Sequence, residues 1–182
     1  MSFETVSMEK VYQGRAFDVR RDRVLLPNGK VTQMDIVEHV GAVTLIPIDE
    51  FERVLFVRQY RHAASRYLLE LPAGTLEANE LPIEGARREI REETGMAANN
   101  FQKIGEFFLA PGYSTEYMYI YLATELRPDP LPGDQDEFLH LVPVEVEQAY
   151  KLVLDGKIND AKSIAALMLA RPWLAAGETG LP

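Results

Sequence analysis

Gly74–Met96 reads GTLEANELPIEGARREIREETGM, and the placement of its acids decides what the rest of the chain must do. Glu84, Glu89, Glu92 and Glu93 crowd into a segment with helical character. Glu89 and Glu93 lie four apart and Glu89 and Glu92 three apart, so their carboxylates share one side of a helix. Like charges at that spacing destabilise a helix. A positive partner must offset the cost, and a divalent cation is the simplest candidate. The plain alternative is a solvated face in which Glu84–Arg88 and Arg88–Glu92 pair along the helix, each pair contributing about 0.2–0.5 kcal/mol. Pro82 suits the first helical turn and Gly95 a position just past the C-terminus. Ile83, Ala86 and Ile90 recur on the other face, so the helix can dock on a core with its acids outward. Hard cations such as Mg²⁺ take oxygen ligands and combine one or two carboxylates with phosphate oxygens of a substrate.

Composition narrows the possibilities around this helix. A chain of 182 residues with 47% apolar and 26% charged side chains is long enough for one globular domain with a small appendage. The net charge of −9 argues against a general nucleic-acid binder. An anionic substrate would therefore need local help from metal ions and selected arginines. There are no cysteines, which excludes disulfides and thiolate metal sites. The first residues, MSFETVSMEK, have neither the basic nor the apolar region of a signal peptide. No apolar run approaches the ~20 residues of a membrane span, so a cytoplasmic location without membrane partners is the expectation.

Extended segments are expected at 4–12, 17–26 and 31–38, the last two joined through Asn28-Gly29, a hairpin signal. Apolar strands follow at 42–48 and 54–60, and residues 67–71 lead into the acidic segment. Beyond the helix, strands are expected at 101–109 and 117–123, with a short one near 138–143. Helices at 144–154 and 161–169 close the chain, the second capped by Asn159 or Asp160. Many strands with a central and a C-terminal helical region imply a mixed sheet covered by helices.

The segment resembles the Nudix box, whose specified positions are filled by Gly74, Glu80, Arg88, Glu89, Ile90, Glu92, Glu93, Gly95 and Met96 without departure. This resemblance implies an α/β fold, a Nudix-type α/β/α sandwich with a mixed β-sheet, over residues 41–182. It further implies a hydrolase of nucleoside diphosphates linked to another moiety, dependent on Mg²⁺ or Mn²⁺. Residues 1–40 look like an appended β-region, which in pyrophosphatases of this family supports a homodimer; the alternative is that these strands only cover the chain's own sheet. Within the family, Pro111, placed 16 residues after Gly95 in LAPGYSTE, resembles the mark of the ADP-ribose pyrophosphatases, as does RQYRHAASRYLLELPAG, residues 58–74.

By that resemblance Glu89, Glu93, Glu92 and the carbonyl of Ala73 are the expected metal ligands, with Glu92 and Glu93 counted among the catalytic groups. Arg61 is expected on the diphosphate, where its fork matches phosphate oxygens. Glu70, Pro111, Gly112 and Glu116 are expected near substrate, although Glu70 could equally end a strand at the surface. Glu137 is the expected base that activates water, with Asp136 its nearest rival. Arg88 is expected to orient a glutamate and Glu84 to be its surface partner. Three readings of the activity stay open: hydrolysis of ADP-ribose to AMP and ribose 5-phosphate, hydrolysis of other sugars such as GDP-mannose, UDP-glucose or ADP-glucose, and a catalytically silent ligand sensor.

Overall fold

The computed structural model describes residues 2–133 and 138–174. The chain forms β1 (Glu4–Gln13), β2 (Asp18–Leu25), β3 (Val31–Glu38), β4 (Ala42–Pro47), β5 (Arg53–Arg61), β6 (Arg66–Glu70) and β7 (Ala73–Thr75). Then come α1 (Pro82–Thr94), β8 (Met96–Phe108), β9 (Tyr117–Pro128), β10 (His140–Glu145), α2 (Val146–Leu154) and α3 (Ala161–Leu174). Two compact units result: the chain up to Gly41 with Phe107–Tyr117, and Ala42–Glu106 with the chain from Met118 onward.

The first unit is an antiparallel meander in the order β1-β2-β3. The β2–β3 turn closes through the Gly29 N–H on the Leu26 carbonyl at 2.9 Å, with Gly29 at φ 81°, a conformation that glycine adopts without steric cost. Strand β1 is exposed along its whole length, Val6, Met8, Val11 and Tyr12 included. The 107–117 segment turns at Ala110, whose carbonyl accepts the N–H groups of Tyr113 and Ser114. It returns to β3 through Val37 N–H on the Tyr113 carbonyl at 2.8 Å and Thr115 N–H on the Val37 carbonyl at 3.0 Å.

The second unit holds a four-stranded sheet, β7-β4-β9-β8, and a three-stranded one, β10-β5-β6. The first is mixed, β4 running antiparallel to β7 and parallel to β9. Every residue of β4 is buried, which marks a strand covered on both faces. Val43 and Leu45 join Leu76, Ala86, Ile90, Tyr121 and Ala123 in one core cluster, with Ile83 packed against it. Strand alternation turns Thr44 and Ile46 the other way, and α3 packs on β4 as α1 does. This is the three-layer arrangement expected from the sequence.

Pairing explains where element bounds differ from expectation. Gly95 ends α1 in the left-handed region at φ 71°, and the chain enters β8 at once instead of near residue 101. Strand β9 continues to Pro128. Val144 pairs with Val54, so α2 starts only at Val146. Helix α3 runs on to Leu174 with Pro172 in its last turn; proline forfeits one hydrogen bond there.

Ile90 is fully buried in the cluster beneath α1. Ile90→Ala should lower the unfolding free energy by about 2–5 kcal/mol, read as a reduced denaturant midpoint at unchanged slope.

Candidate functional site

Helix α1 presents its acids from a well-terminated scaffold. Pro82 occupies the first turn, and the Glu84 carboxylate accepts the Leu81 N–H at 3.3 Å. Glu84 thus reaches back to the helix start, not to Arg88 as expected, because an acid at the third helical position can satisfy an N–H left open by the first turn.

Arg88 instead organises the acidic face. Its Nε and Nη2 donate to the two oxygens of Glu80, each at 2.9 Å. Nη1 donates to Glu89 at 2.6 Å and to Glu92 at 2.9 Å, and Nη2 also reaches the Thr75 carbonyl at 3.1 Å. The hydrogen bond that Arg88 donates to Glu80 comes first among the causes that raise the Arg88 pKa well above its ordinary value. Reciprocally, Arg88 holds the Glu80 carboxyl below the usual range.

Glu89 and Glu93 are buried, at 7% and 9% exposure. The Glu93 carboxylate accepts the Ala73 N–H at 2.9 Å, which joins the helix to the strand entering the box. The Glu89 carboxylate lies across Gly74: a Cβ there would fall 1.8–2.2 Å from its atoms. The glycine is required by close approach, since its own φ is not in the left-handed region.

Arg61 and Glu70, nine residues apart, meet as a fork: Nε to Oε1 at 2.9 Å and Nη2 to Oε2 at 2.7 Å. Glu70 is 1% exposed, so it is no strand-end surface group. Arg61 Nη1 has no partner among the described residues. The Glu70 hydrogen bond leads the causes that raise the Arg61 pKa, and the charges of Glu93 on α1 and of Asp160 contribute as well.

Two further residues, Lys162 and Ser163, escape sequence reasoning, and they gather around Asp160, which was expected as a cap. Lys162 Nζ donates to Glu70 Oε2 and, at 2.8 Å, to Asp160. Asp160 caps α3, accepting the Ser163 N–H at 3.1 Å and its hydroxyl at 2.6 Å. The Leu71 N–H in turn donates to Ser163 Oγ at 2.8 Å. Only the cap at Asp160 had a signal in the sequence; a lysine in the first turn of a helix otherwise reads as solvated.

Among the described residues no three acids or histidines are already gathered around one point. The donor chemistry still fits a hard divalent cation: Glu89, Glu92 and Glu93 offer oxygen ligands from one helix face, and the Gly74 approach gives the Glu89 carboxylate room. Pro111, Gly112 and Glu116 lie in the first unit, where the Glu116 carbonyl accepts the Leu109 N–H at 3.1 Å. Glu137 and Asp136 lie outside the described residues. A cavity of about 420 Å³ opens on another flank of α1, between Arg87, Arg91, Phe101 and Arg127.

Burial raises the Glu70 pKa, but hydrogen bonds and charge from Arg61 and Lys162 outweigh it, leaving the carboxyl below its ordinary 4.5. A depressed folded-state pKa contributes stability above the unfolded value and loses it as pH falls through the folded value. The melting temperature should therefore decline with acidification below about pH 4.5, and less steeply in Glu70→Gln; equal slopes in thermal melts across that range would exclude this contribution.

Residues 38–167 match the family model described as the NUDIX domain. The chain is 36% identical over 166 residues to the ADP-ribose pyrophosphatase of Bacillus subtilis, covering 90% of each protein. It is 39% identical over 171 residues to the ADP-ribose pyrophosphatase of Mycobacterium tuberculosis, covering 91% of this chain and 82% of that one. A crystal structure of an ADP compounds hydrolase superposes with a TM-score of 0.87 at 28% identity, covering 99% of this chain and 98% of that one.

Proposed function

This chain belongs to the Nudix hydrolase family, and on that premise we propose that it hydrolyses the diphosphate of ADP-ribose to AMP and ribose 5-phosphate. The observation that carries the substrate is the name shared by two relatives, ADP-ribose pyrophosphatase, at 36% and 39% identity over nine-tenths of the chain. Enzymes of this family need a divalent metal, and Mg²⁺ is the working ion proposed, with Mn²⁺ able to replace it.

Glu89, Glu92, Glu93 and the Ala73 carbonyl would hold the cation, which when bound supplies charge for the phosphoryl oxygens and activates water. The chain's own groups do the rest. Arg88 fixes the Glu89 and Glu92 carboxylates through Nη1, and the Ala73 N–H fixes Glu93. Glu70 holds two edges of the Arg61 guanidinium and leaves Nη1 for a phosphate oxygen. Glu137 takes the proton of the attacking water, with Asp136 as the alternative, and Pro111, Gly112 and Glu116 belong to the substrate-binding set.

Residues 1–40 are assigned to dimerisation, and 41–182 to the hydrolase domain. Support comes from the exposed apolar side chains of β1, Val6, Met8, Val11 and Tyr12. No helix among the described residues is long and apolar enough to cross a membrane, and the proposed location is the cytoplasm.

Glu93→Gln should reduce turnover by more than about a hundredfold while circular dichroism stays that of the wild type; near-normal activity would remove Glu93 from the metal site. Incubation with Mg²⁺ and ADP-ribose, ADP-glucose, GDP-mannose or UDP-glucose, with products resolved, tests the substrate. ADP-ribose should be preferred, and a clear preference for a non-adenine sugar would overturn the assignment. Sedimentation should give a dimer of the 20.6 kDa chain, which Met8→Lys weakens; a wild-type monomer would remove the role given to β1.

A further inference from the structure

The first turn of α3 reaches the site through a path of buried charge. Glu70 is shared by two cations: Arg61 grips both oxygens from one side, and Lys162 adds a third contact on Oε2. Lys162 is itself only 9% exposed and is held by the capping Asp160 at 2.8 Å. Two residues meet across 92 positions of sequence here, and the neighbouring Leu71–Ser163 bond spans the same separation. The strand leading to Ala73 is thus tied to α3 at successive residues, by the Glu70 side chain and the Leu71 N–H.

An ion pair this buried does little for net stability, because desolvation offsets the attraction. What it does is orient. With Lys162 in place, Oε2 of Glu70 has a fixed direction, and the fork leaves Arg61 a single orientation with Nη1 unpartnered among the described residues. Without Lys162, Oε2 loses one of its two cations and the carboxylate can rotate, carrying the guanidinium with it.

We propose that Lys162 is a positioning residue for substrate binding, acting through Glu70 to aim Arg61 at the diphosphate. This rests on the role given to Arg61 above, so the test uses whichever nucleoside diphosphate sugar the wild type hydrolyses best. Lys162→Met should raise KM by about tenfold with kcat within about threefold. In an Arg61→Ala background the same substitution should change KM by less than about twofold, since the coupled group is already gone. Lys162→Arg, which keeps the charge, should recover most of the loss. A purely structural role would lower the active fraction, and hence apparent kcat, without moving KM.

Calorimetric binding of inorganic pyrophosphate in the presence of Mg²⁺ repeats the cycle without turnover, so it stands even if the substrate assignment fails. An unchanged KM and pyrophosphate affinity in folded Lys162→Met would overturn the proposal, as would a loss of equal size in the Arg61→Ala background. Should Lys162→Met not fold by circular dichroism, Lys162→Gln, which retains a donor and no charge, carries the same expectations and the same overturning results.

Discussion

Carboxylates crowded on one helix face are the constraint from which the rest of this structure follows. Glu89, Glu92 and Glu93 repel one another on α1, and the guanidinium of Arg88 answers that repulsion from within the same helix. Its planar fork can do what an ammonium could not. One nitrogen bridges Glu89 and Glu92 while the others bind Glu80 in the preceding loop. Glu80 therefore has a structural duty of its own. It anchors the loop to the helix, and one of its oxygens also accepts the Glu77 N–H at 2.9 Å. The arrangement holds the Glu80, Glu89 and Glu92 carboxylates in place.

Holding these acids together on one helix face requires a floor that does not yield. Strand β4 supplies it, since burial on both faces leaves it no freedom to tilt. Ile83, Ala86 and Ile90 seat α1 on one face through the Val43–Leu45 cluster. From this floor the short β7 carries Gly74 beneath Glu89, so the close approach of backbone to carboxylate depends on β4 pairing with β7 at Val43 and Gly74. The box is a local motif in sequence, but its geometry is set by a strand some thirty residues earlier.

That difference also separates what could be read from the sequence from what could not. The bounds of α1 were legible because Pro82 and Gly95 act locally, through a missing N–H and a left-handed turn. The β2–β3 hairpin was legible for the same reason. Glu84 was misread because two local partners, Arg88 and the Leu81 N–H, compete at similar distance, and spacing does not rank them. Glu70 and Lys162 were not legible as a pair: nothing short-range marks a lysine as buried against an acid 92 residues away. Gly74 belonged to the motif, but its physical reason, a carboxylate lying where a Cβ would stand, appears only in three dimensions.

The two charge systems of the second unit differ in kind, and the difference bears on what each is for. Around Arg88 the side chains range from 10% exposure for Glu89 to 24% for Glu92, with the arginine at 21%, so their charges are less completely desolvated than that of Glu70. Glu70 is 1% exposed, and its compensation by Arg61 and Lys162 is costly in desolvation. Replacing all three charged groups by apolar side chains of similar volume would cost little stability. An apolar residue in place of Glu70 alone would instead leave Arg61 and Lys162 without that partner and destabilise the fold. A chain with net charge −9 that must attract a diphosphate gains something else from the buried system. It holds the Arg61 guanidinium, at 39% side-chain exposure, in one direction, with Nη1 unpartnered among the described residues. Orientation set in advance lowers the entropy lost when an anion binds, and a buried acid held from two sides is a means of setting it.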